Sequence, residues 1–274
     1  MEYLRKKKVF GLFLSSGVIG SPDYTMDRIN AVARILRYKH NFKGYIHLKV
    51  IPGASDAAIE DSMKLASAVS LNIETPGKKR FDLLSDKKDY MNDIVRPLNL
   101  MSKLTMQDQR FSRVKCTTQF IVGASDEPDS EIIESMFGIY RRLKFQRVYF
   151  SAYQKGLGHP DIPGEKRLLP DTQNIFMREH RLYQTDFLIR RYGFKNEDIV
   201  FDKSGNLSLD KDPKQIWADT HPEFYPIRIN SADKEALLRV PGLGLDSVSR
   251  ILQARRERKI SSIEDLGIKG KRVE

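Results

Sequence analysis

The chain has a single cysteine, Cys116, among 274 residues. One thiol excludes an internal disulfide framework, and it excludes a zinc or iron–sulfur site built from this chain's cysteines alone. The five histidines, His40, His47, His159, His180 and His221, show no paired spacing such as H-E-x-x-H, so no protein-ligated metal is expected. No apolar run approaches the roughly 20 residues of a membrane-spanning helix, and there is no low-complexity segment or internal repeat. The opening, Met1 to Phe10, is basic and then apolar, like a signal peptide. Its apolar stretch runs into Ser15-Ser16-Gly17 without a small-residue cleavage site and reads better as a strand. A soluble, cytoplasmic protein without a membrane partner is expected.

What the chain has is positive charge, a net +11 with 40% hydrophobic residues. An excess of this size favours polyanionic partners, because each Lys or Arg placed on a phosphate releases a condensed counterion. Charge alone is equally compatible with a merely basic surface. The distribution is uneven, since Arg250, Arg255, Arg256, Arg258, Lys259, Lys269, Lys271 and Arg272 crowd the C-terminal end.

The first two-thirds alternates β-rich runs with amphipathic helical stretches, the pattern of parallel α/β architecture. Strands are expected at Val9 to Leu14, Tyr45 to Ile51, Ala68 to Thr75, Lys115 to Val122 and Arg147 to Tyr153. Helices are expected from a Thr25 cap through Leu36, at Asp56 to Ala66, at Met91 to Leu104 with an interruption at Pro97, and from an Asp129 cap through Leu143. The stripe Ile132, Ile133, Met136, Tyr140 and Leu143 reads as core. Periodicity leaves open a doubly wound sheet or part of a barrel. Glu2 to Lys8 reads as the tail of a helix, so the chain is expected to open within a β-α unit. Residues 1–155 form the expected α/β domain. Residues 156–225 form a connector that starts with a Pro/Gly-rich loop and continues with helices near Arg178 to Tyr192 and Pro213 to Ala218. Residues 226–274 form a small all-α domain.

That last domain carries the sharpest motif, Val240-Pro241-Gly242-Leu243-Gly244. Asn230, with Asp233 three residues on, makes a capping-box-like start for a first helix through Leu237 and Leu238. A second helix follows with Val248, Ile251 and Leu252. Two short helices joined by Pro-Gly-apolar-Gly resemble the helix-hairpin-helix modules that bind DNA without reading sequence. Gly242 and Gly244 permit backbone angles barred to other residues and a close approach to phosphate. The following helix N-terminus points N–H groups at an anion, Leu243 plugs the hairpin, and Arg250 and Arg255 flank it. Such contacts position a protein on a duplex without specifying bases. A helix turn used only for packing is the alternative. Ile263 to Gly270 reads as the start of a second, weaker hairpin.

A wider resemblance rests on Leu12-Phe13-Leu14-Ser15-Ser16-Gly17-Val18-Ile19 with Pro22 to Met26, Gly44 to Ala54, Ser70-Leu71-Asn72-Ile73-Glu74, Thr117 to Ala124, Val148 to Tyr153 and Glu179 to Gln184. In that order, over nearly the whole chain, these segments resemble a bacterial family of radical S-adenosylmethionine proteins associated with DNA modification or repair. The resemblance implies a partial (β/α) barrel without its first strand, followed by a helix-hairpin-helix domain. It further implies S-adenosylmethionine beside a [4Fe–4S] cluster at the strand ends. Ser15, Ser16 and Gly17 would meet the methionine amino group. Asn72 and Glu74 would bind ribose hydroxyls or that amino group, Gln119 and Gly123 adenine and ribose, and Tyr153 would stack near adenine. The plain alternatives are a tight turn, a solvated strand end and a core aromatic.

The family's C-x3-C-x2-C ligands have no counterpart in this sequence, and cluster iron needs thiolates. The chain alone is therefore expected to be inactive in radical chemistry. Three readings follow: a shortened radical S-adenosylmethionine DNA protein, a cluster-free DNA-binding protein, or a subunit completed by a separately encoded N-terminal half.

Overall fold

A computed structural model describes residues 10–156, 158–166 and 171–262, and for residues 171–173 the backbone only. The helical lead at Glu2 to Lys8, Val9, part of the Pro/Gly-rich loop, the second hairpin at Ile263 to Gly270 and the basic residues Lys269, Lys271 and Arg272 lie outside the described residues. The chain forms two compact units. One comprises residues 1–127 and 134–179, the other residues 128–133 and 180–274. The segment expected as a connector is thus divided between them at Glu179 and His180.

The first unit is built on five parallel strands, β1 (Gly11–Leu14), β2 (Tyr45–Lys49), β3 (Ala68–Ser70), β4 (Lys115–Val122) and β5 (Arg147–Ala152). Their spatial order is β1-β2-β3-β4-β5. Each strand lies beside the next in sequence, without the order reversal of a doubly wound sheet. This arrangement is compatible with an arc of a β/α barrel. The crossovers include α1 (Pro22–Arg34), α2 (Asp56–Leu65), the single turn α3 (Lys78–Phe81) and α4 (Arg96–Gln107), with α5 (Asp129–Gly138) beginning after β4.

Local chemistry sets the helix ends. Ser21, not Thr25, caps α1. Its hydroxyl accepts from the Tyr24 N–H at 3.1 Å, with Pro22 in the first turn, where a missing N–H costs nothing. Thr25 lies inside the helix, buried, accepting from the Ile19 N–H at 2.8 Å and donating to the Ser21 carbonyl at 2.8 Å. Pro97 does not interrupt a helix either. It stands in the first turn of α4, where a wide π-type turn at Tyr90–Val95 hands over to regular α geometry.

The sheet has two unlike faces. Ile46, Leu48, Val69, Cys116, Phe120, Val122, Val148 and Phe150 are buried, and Met26, Ile29, Ile59, Met63, Leu98 and Met101 of the helices are buried with them. The Met26 sulfur accepts the Ile51 N–H, and the Cys116 thiol points to the Met101 carbonyl at 3.9 Å, so this face meets the helices. Residues of alternate register, Tyr45, His47 and Lys49 on β2 and Arg147, Tyr149 and Ser151 on β5, lie on the opposite face. Tyr45 and Tyr149 there are 43% and 42% exposed.

The second unit contains the C-terminal part of α6 (Asp171–Tyr192), then α7 (Pro213–Thr220), α8 (Lys234–Arg239) and α9 (Leu245–Glu257). Its core is Leu237, Leu238, Leu243, Val248, Ile251 and Ile260. A second cluster centres on Trp217. The His221 ring stacks on it at 4.3 Å, the Arg239 guanidinium lies 4.4 Å from its centroid, and Phe194 meets it edge-on. Arg239 also pairs with Asp198 at 2.9 Å. Among the described residues no helix is long and apolar enough to cross a membrane.

Candidate functional site

In the first unit the expected ligand residues other than Gln119 follow the carboxyl ends of their strands, where parallel α/β sheets commonly hold ligands, whereas Gln119 lies in the middle of β4, in register with Tyr149. Ser15, Ser16 and Gly17 follow β1. The Ser16 hydroxyl donates to the Gly17 carbonyl at 2.8 Å, and a Cβ at Gly17 would meet nothing within 4 Å. The turn therefore has no internal packing reason to hold glycine at this position.

Asn72 and Glu74 follow β3, and the structure brings them together with β4. The Asn72 amide donates to Glu74 Oε2 at 3.4 Å. The Glu74 N–H donates to the Gln119 carbonyl at 3.0 Å, and the Ile121 N–H donates to the Glu74 carbonyl at 2.7 Å. Glu74 has φ +66°, a left-handed conformation uncommon for a non-glycine residue, and such strain concentrates at functional sites. Burial raises its carboxyl above the ordinary range, against the opposing pull of Lys49, Lys88 and the Asn72 amide. A buried, poorly solvated carboxylate at a strand end is suited to an ammonium or to hydroxyl donors.

Two expected ligand residues are already engaged. Gly123 has φ +81°, and its N–H donates to Glu127 Oε1 at 2.6 Å. Glu127 is 3% exposed, also accepts from the Ser125 backbone and hydroxyl, and pairs with Arg178 at 3.4 Å. Gly123 thus belongs to a turn closed by this carboxylate. Tyr153 donates its hydroxyl to Glu165 Oε1 at 2.6 Å, and a Cβ would clash with that hydroxyl at Gly158 and with the ring at Gly164. Glu165 also accepts from the Gly156 and Gly158 N–H groups, each at 2.8 Å. Burial and Glu165 push the phenol up to about 12. Tyr153 pins the loop that follows β5.

Glu127, Arg178 and Glu165 were not singled out from sequence. Each is a charged residue closing a loop on backbone N–H or carbonyl groups, a role that residue type and spacing do not encode. Glu179, part of a resemblance segment, caps β5 by accepting from the Ala152 N–H at 2.7 Å.

The cluster ligands can be tested against the residues present. Cys116 is 2% exposed on the helix-facing side of β4, and burial pushes its thiol up to about 12. A single buried, protonated thiol does not fit a [4Fe–4S] cluster.

In the second unit the hairpin is compact. Gly242 has φ +82°, the left-handed angle that requires glycine at this turn. Leu243, 8% exposed, inserts into the core between α8 and α9. Gly244, with φ −103° and ψ 178°, precedes α9 and has no side chain to cap it. Pro241 and Gly244 are half-buried and Gly242 is exposed, so the turn reaches the surface. Asp233 caps α8 by accepting from the Ala236 N–H at 2.7 Å. Asn230, expected as that cap, exchanges two hydrogen bonds with the backbone of Ile260, at 2.8 and 2.9 Å.

The two flanking arginines differ. Arg250 is exposed. Arg255 turns inward and donates to the Ala232 carbonyl at 2.5 Å and the Ile229 carbonyl at 3.3 Å. Behind the turn Lys214, 8% exposed, donates to the Leu243 carbonyl at 2.6 Å and lies over the Tyr192 ring. The Tyr192 hydroxyl accepts from the Leu245 backbone at the start of α9. Compared with known proteins, the chain matches no family model, and no curated protein matches it.

Proposed function

We propose that this chain binds the DNA phosphate backbone through the Val240 to Gly244 hairpin, as a helix-hairpin-helix module does. We further propose that it serves DNA modification or repair of the radical S-adenosylmethionine kind, with its first unit a partial barrel of that type. One observation carries the DNA reading. Gly242 holds a left-handed angle at a surface turn that leads into α9, whose N-cap residue Gly244 has no side chain to cap it, although the Tyr192 hydroxyl meets the Leu245 N–H. The other N–H groups of this first turn and the helix dipole favour an anion there, and Arg250 adds exposed positive charge.

S-adenosylmethionine supplies a sulfonium-activated alkyl group when bound. Among the residues expected to hold it, Ser15, Ser16, Gly17, Asn72, Glu74 and Gln119 fit best, because Gly123 and Tyr153 already serve their own loops. Glu74, with Asn72 beside it, would orient an ammonium or ribose hydroxyl. The cluster does not fit the cysteine content of this sequence, so no step is assigned to it. That mismatch favours, as a second reading, a DNA-binding role without radical chemistry for these residues, or one completed by a separate cluster-bearing chain.

The test is duplex binding as a function of salt for the full chain and for Gly242→Ala. The reading expects log K to fall linearly with log salt and affinity to drop in the variant while its circular dichroism is retained. Equal affinity in a folded variant removes the hairpin from the reading. Equilibrium dialysis with S-adenosylmethionine, for the parent and Glu74→Gln, tests the strand-end site.

A further inference from the structure

The face of the sheet turned away from the helices carries a polar rung that none of the roles above uses. Lys49 on β2 pairs in register with Ser70 on β3, Ser70 with Thr117 on β4, and Thr117 with Arg147 on β5. All four residues are polar, whereas their neighbours Leu48, Val69, Cys116 and Val148 are apolar and buried. Adjacent strands lie about 4.8 Å apart. The rung therefore sets two hydroxyls side by side, flanked on each side by a long cationic side chain able to reach over them.

Thr117 and His47 on this face each carry a buried polar atom without a hydrogen-bond partner, the hydroxyl of Thr117, which is only 6% exposed, and Nε2 of His47. His47 lies two residues before Lys49 on the same face. Burial, and then Lys49, lowers its imidazole below the ordinary value, so it is neutral at pH 7. Buried polar atoms are nearly always satisfied, and an exception calls for an explanation. Here the exceptions are a hydroxyl and an imidazole beside a lysine, a set suited to anionic oxygens. On β5 Tyr149, 42% exposed, is two residues beyond Arg147, whose guanidinium lies 5.6 Å from the tyrosine ring centroid. It offers a flat surface next to the cradle.

We propose that the rung Lys49–Ser70–Thr117–Arg147 binds the phosphate of a nucleoside monophosphate, with the base against Tyr149. Thr117 and Ser70 donate hydroxyl hydrogens to phosphate oxygens, His47 supplies a further contact, and Lys49 and Arg147 balance the charge. The site lies wholly in the first unit. It requires neither the DNA reading of the hairpin nor the strand-end reading of S-adenosylmethionine.

Calorimetric titration of the full chain with dTMP, inorganic phosphate and thymidine tests it. The proposal expects dTMP to bind, inorganic phosphate to compete with it, and thymidine to bind at least tenfold more weakly. Thr117→Val and Lys49→Met should each weaken dTMP at least tenfold, and Lys49→Arg should recover most of the loss. Thr117→Val should also raise the melting temperature of the free protein, because it removes an unsatisfied buried hydroxyl, so misfolding cannot account for its loss of ligand. Gly242→Ala should leave dTMP binding unchanged, which separates this site from the hairpin. Absence of dTMP binding at millimolar concentration, thymidine binding as tight as dTMP, or unchanged affinity in Thr117→Val would each overturn the proposal.

Discussion

The Lys214 ammonium donates to the Leu243 carbonyl at 2.6 Å, fixing from behind the turn whose front is proposed to meet DNA. Burial lowers this lysine to about 8, with Asp212 opposing the shift. The folded state thus gives up the proton as pH rises through about 8, while the unfolded chain keeps it until about pH 10.4. Stability from this group is lowest below pH 8 and grows as pH rises from 8 towards the unfolded value. Between pH 7 and 9 the gain should be on the order of 1 kcal/mol. Urea melts followed by the single tryptophan, Trp217 of the second unit, should show this increment in the parent and lose it in Lys214→Met.

The two hairpin glycines should respond differently to alanine. Gly242 is left-handed, so a Cβ costs about 1–2 kcal/mol in backbone strain. Gly244 has an extended backbone, and its added Cβ would meet only the Tyr192 hydroxyl at 3.4 Å, an ordinary contact. Thermal melts should rank Gly242→Ala well below Gly244→Ala, which stays near the parent.

Arg250 and Arg255 separate binding from folding. Arg250→Ala should reduce the salt dependence of DNA binding by about one unit of slope with little change in stability. Arg255→Ala leaves two carbonyls without their charged donor and should cost about 1–3 kcal/mol. Equal effects of the two changes on salt slope would contradict this division.

Glu127 and Arg178 hold the turn after β4. Removing one partner leaves the other charge buried, so Glu127→Ala should cost about 3–5 kcal/mol in denaturant melts of the first unit. A cost below 1 kcal/mol would mean that the pair is incidental.

Glu165 clasps the loop after β5. The Tyr153 hydroxyl first, then the Gly156 and Gly158 N–H groups, hold its carboxyl below the ordinary range. A depressed carboxylate stabilises above its unfolded value, near 4.3, and the clasp is lost as pH falls through the lower folded value. Amide exchange at Gly156 and Gly158 should be fast in Glu165→Gln at pH 7, and slow in the parent.

Much of the order of elements was legible because each signal is local. Strand β4 runs from Lys115 to Val122 as expected, and the Pro-Gly-Leu-Gly turn follows from what Gly242 alone can adopt. Sheet type was not, because periodicity left a doubly wound sheet and a barrel arc open until the strand order β1-β2-β3-β4-β5 was known. The alternation Tyr45-Ile46-His47-Leu48-Lys49 gives this strand one polar face, but a single strand's pattern does not fix the order of the others. The polar rung itself was not legible, since it exists only once the register aligns Lys49, Ser70, Thr117 and Arg147 from four strands. Caps misled for a related reason. Asn230 and Thr25 have capping chemistry, but Asn230 is taken by the distant Ile260 backbone and Thr25 by Ile19 and Ser21 just upstream. Arg255 looked like surface charge because inward bonds to the Ala232 carbonyl leave no trace in composition.

The most direct measurement is duplex DNA affinity of the full chain across a salt series, alongside Gly242→Ala. A binding constant that falls steeply with salt, and a clear loss of affinity in a variant that remains folded, is the result this account predicts. Salt-independent or undetectable binding by the parent chain, or full affinity in the variant, would contradict it.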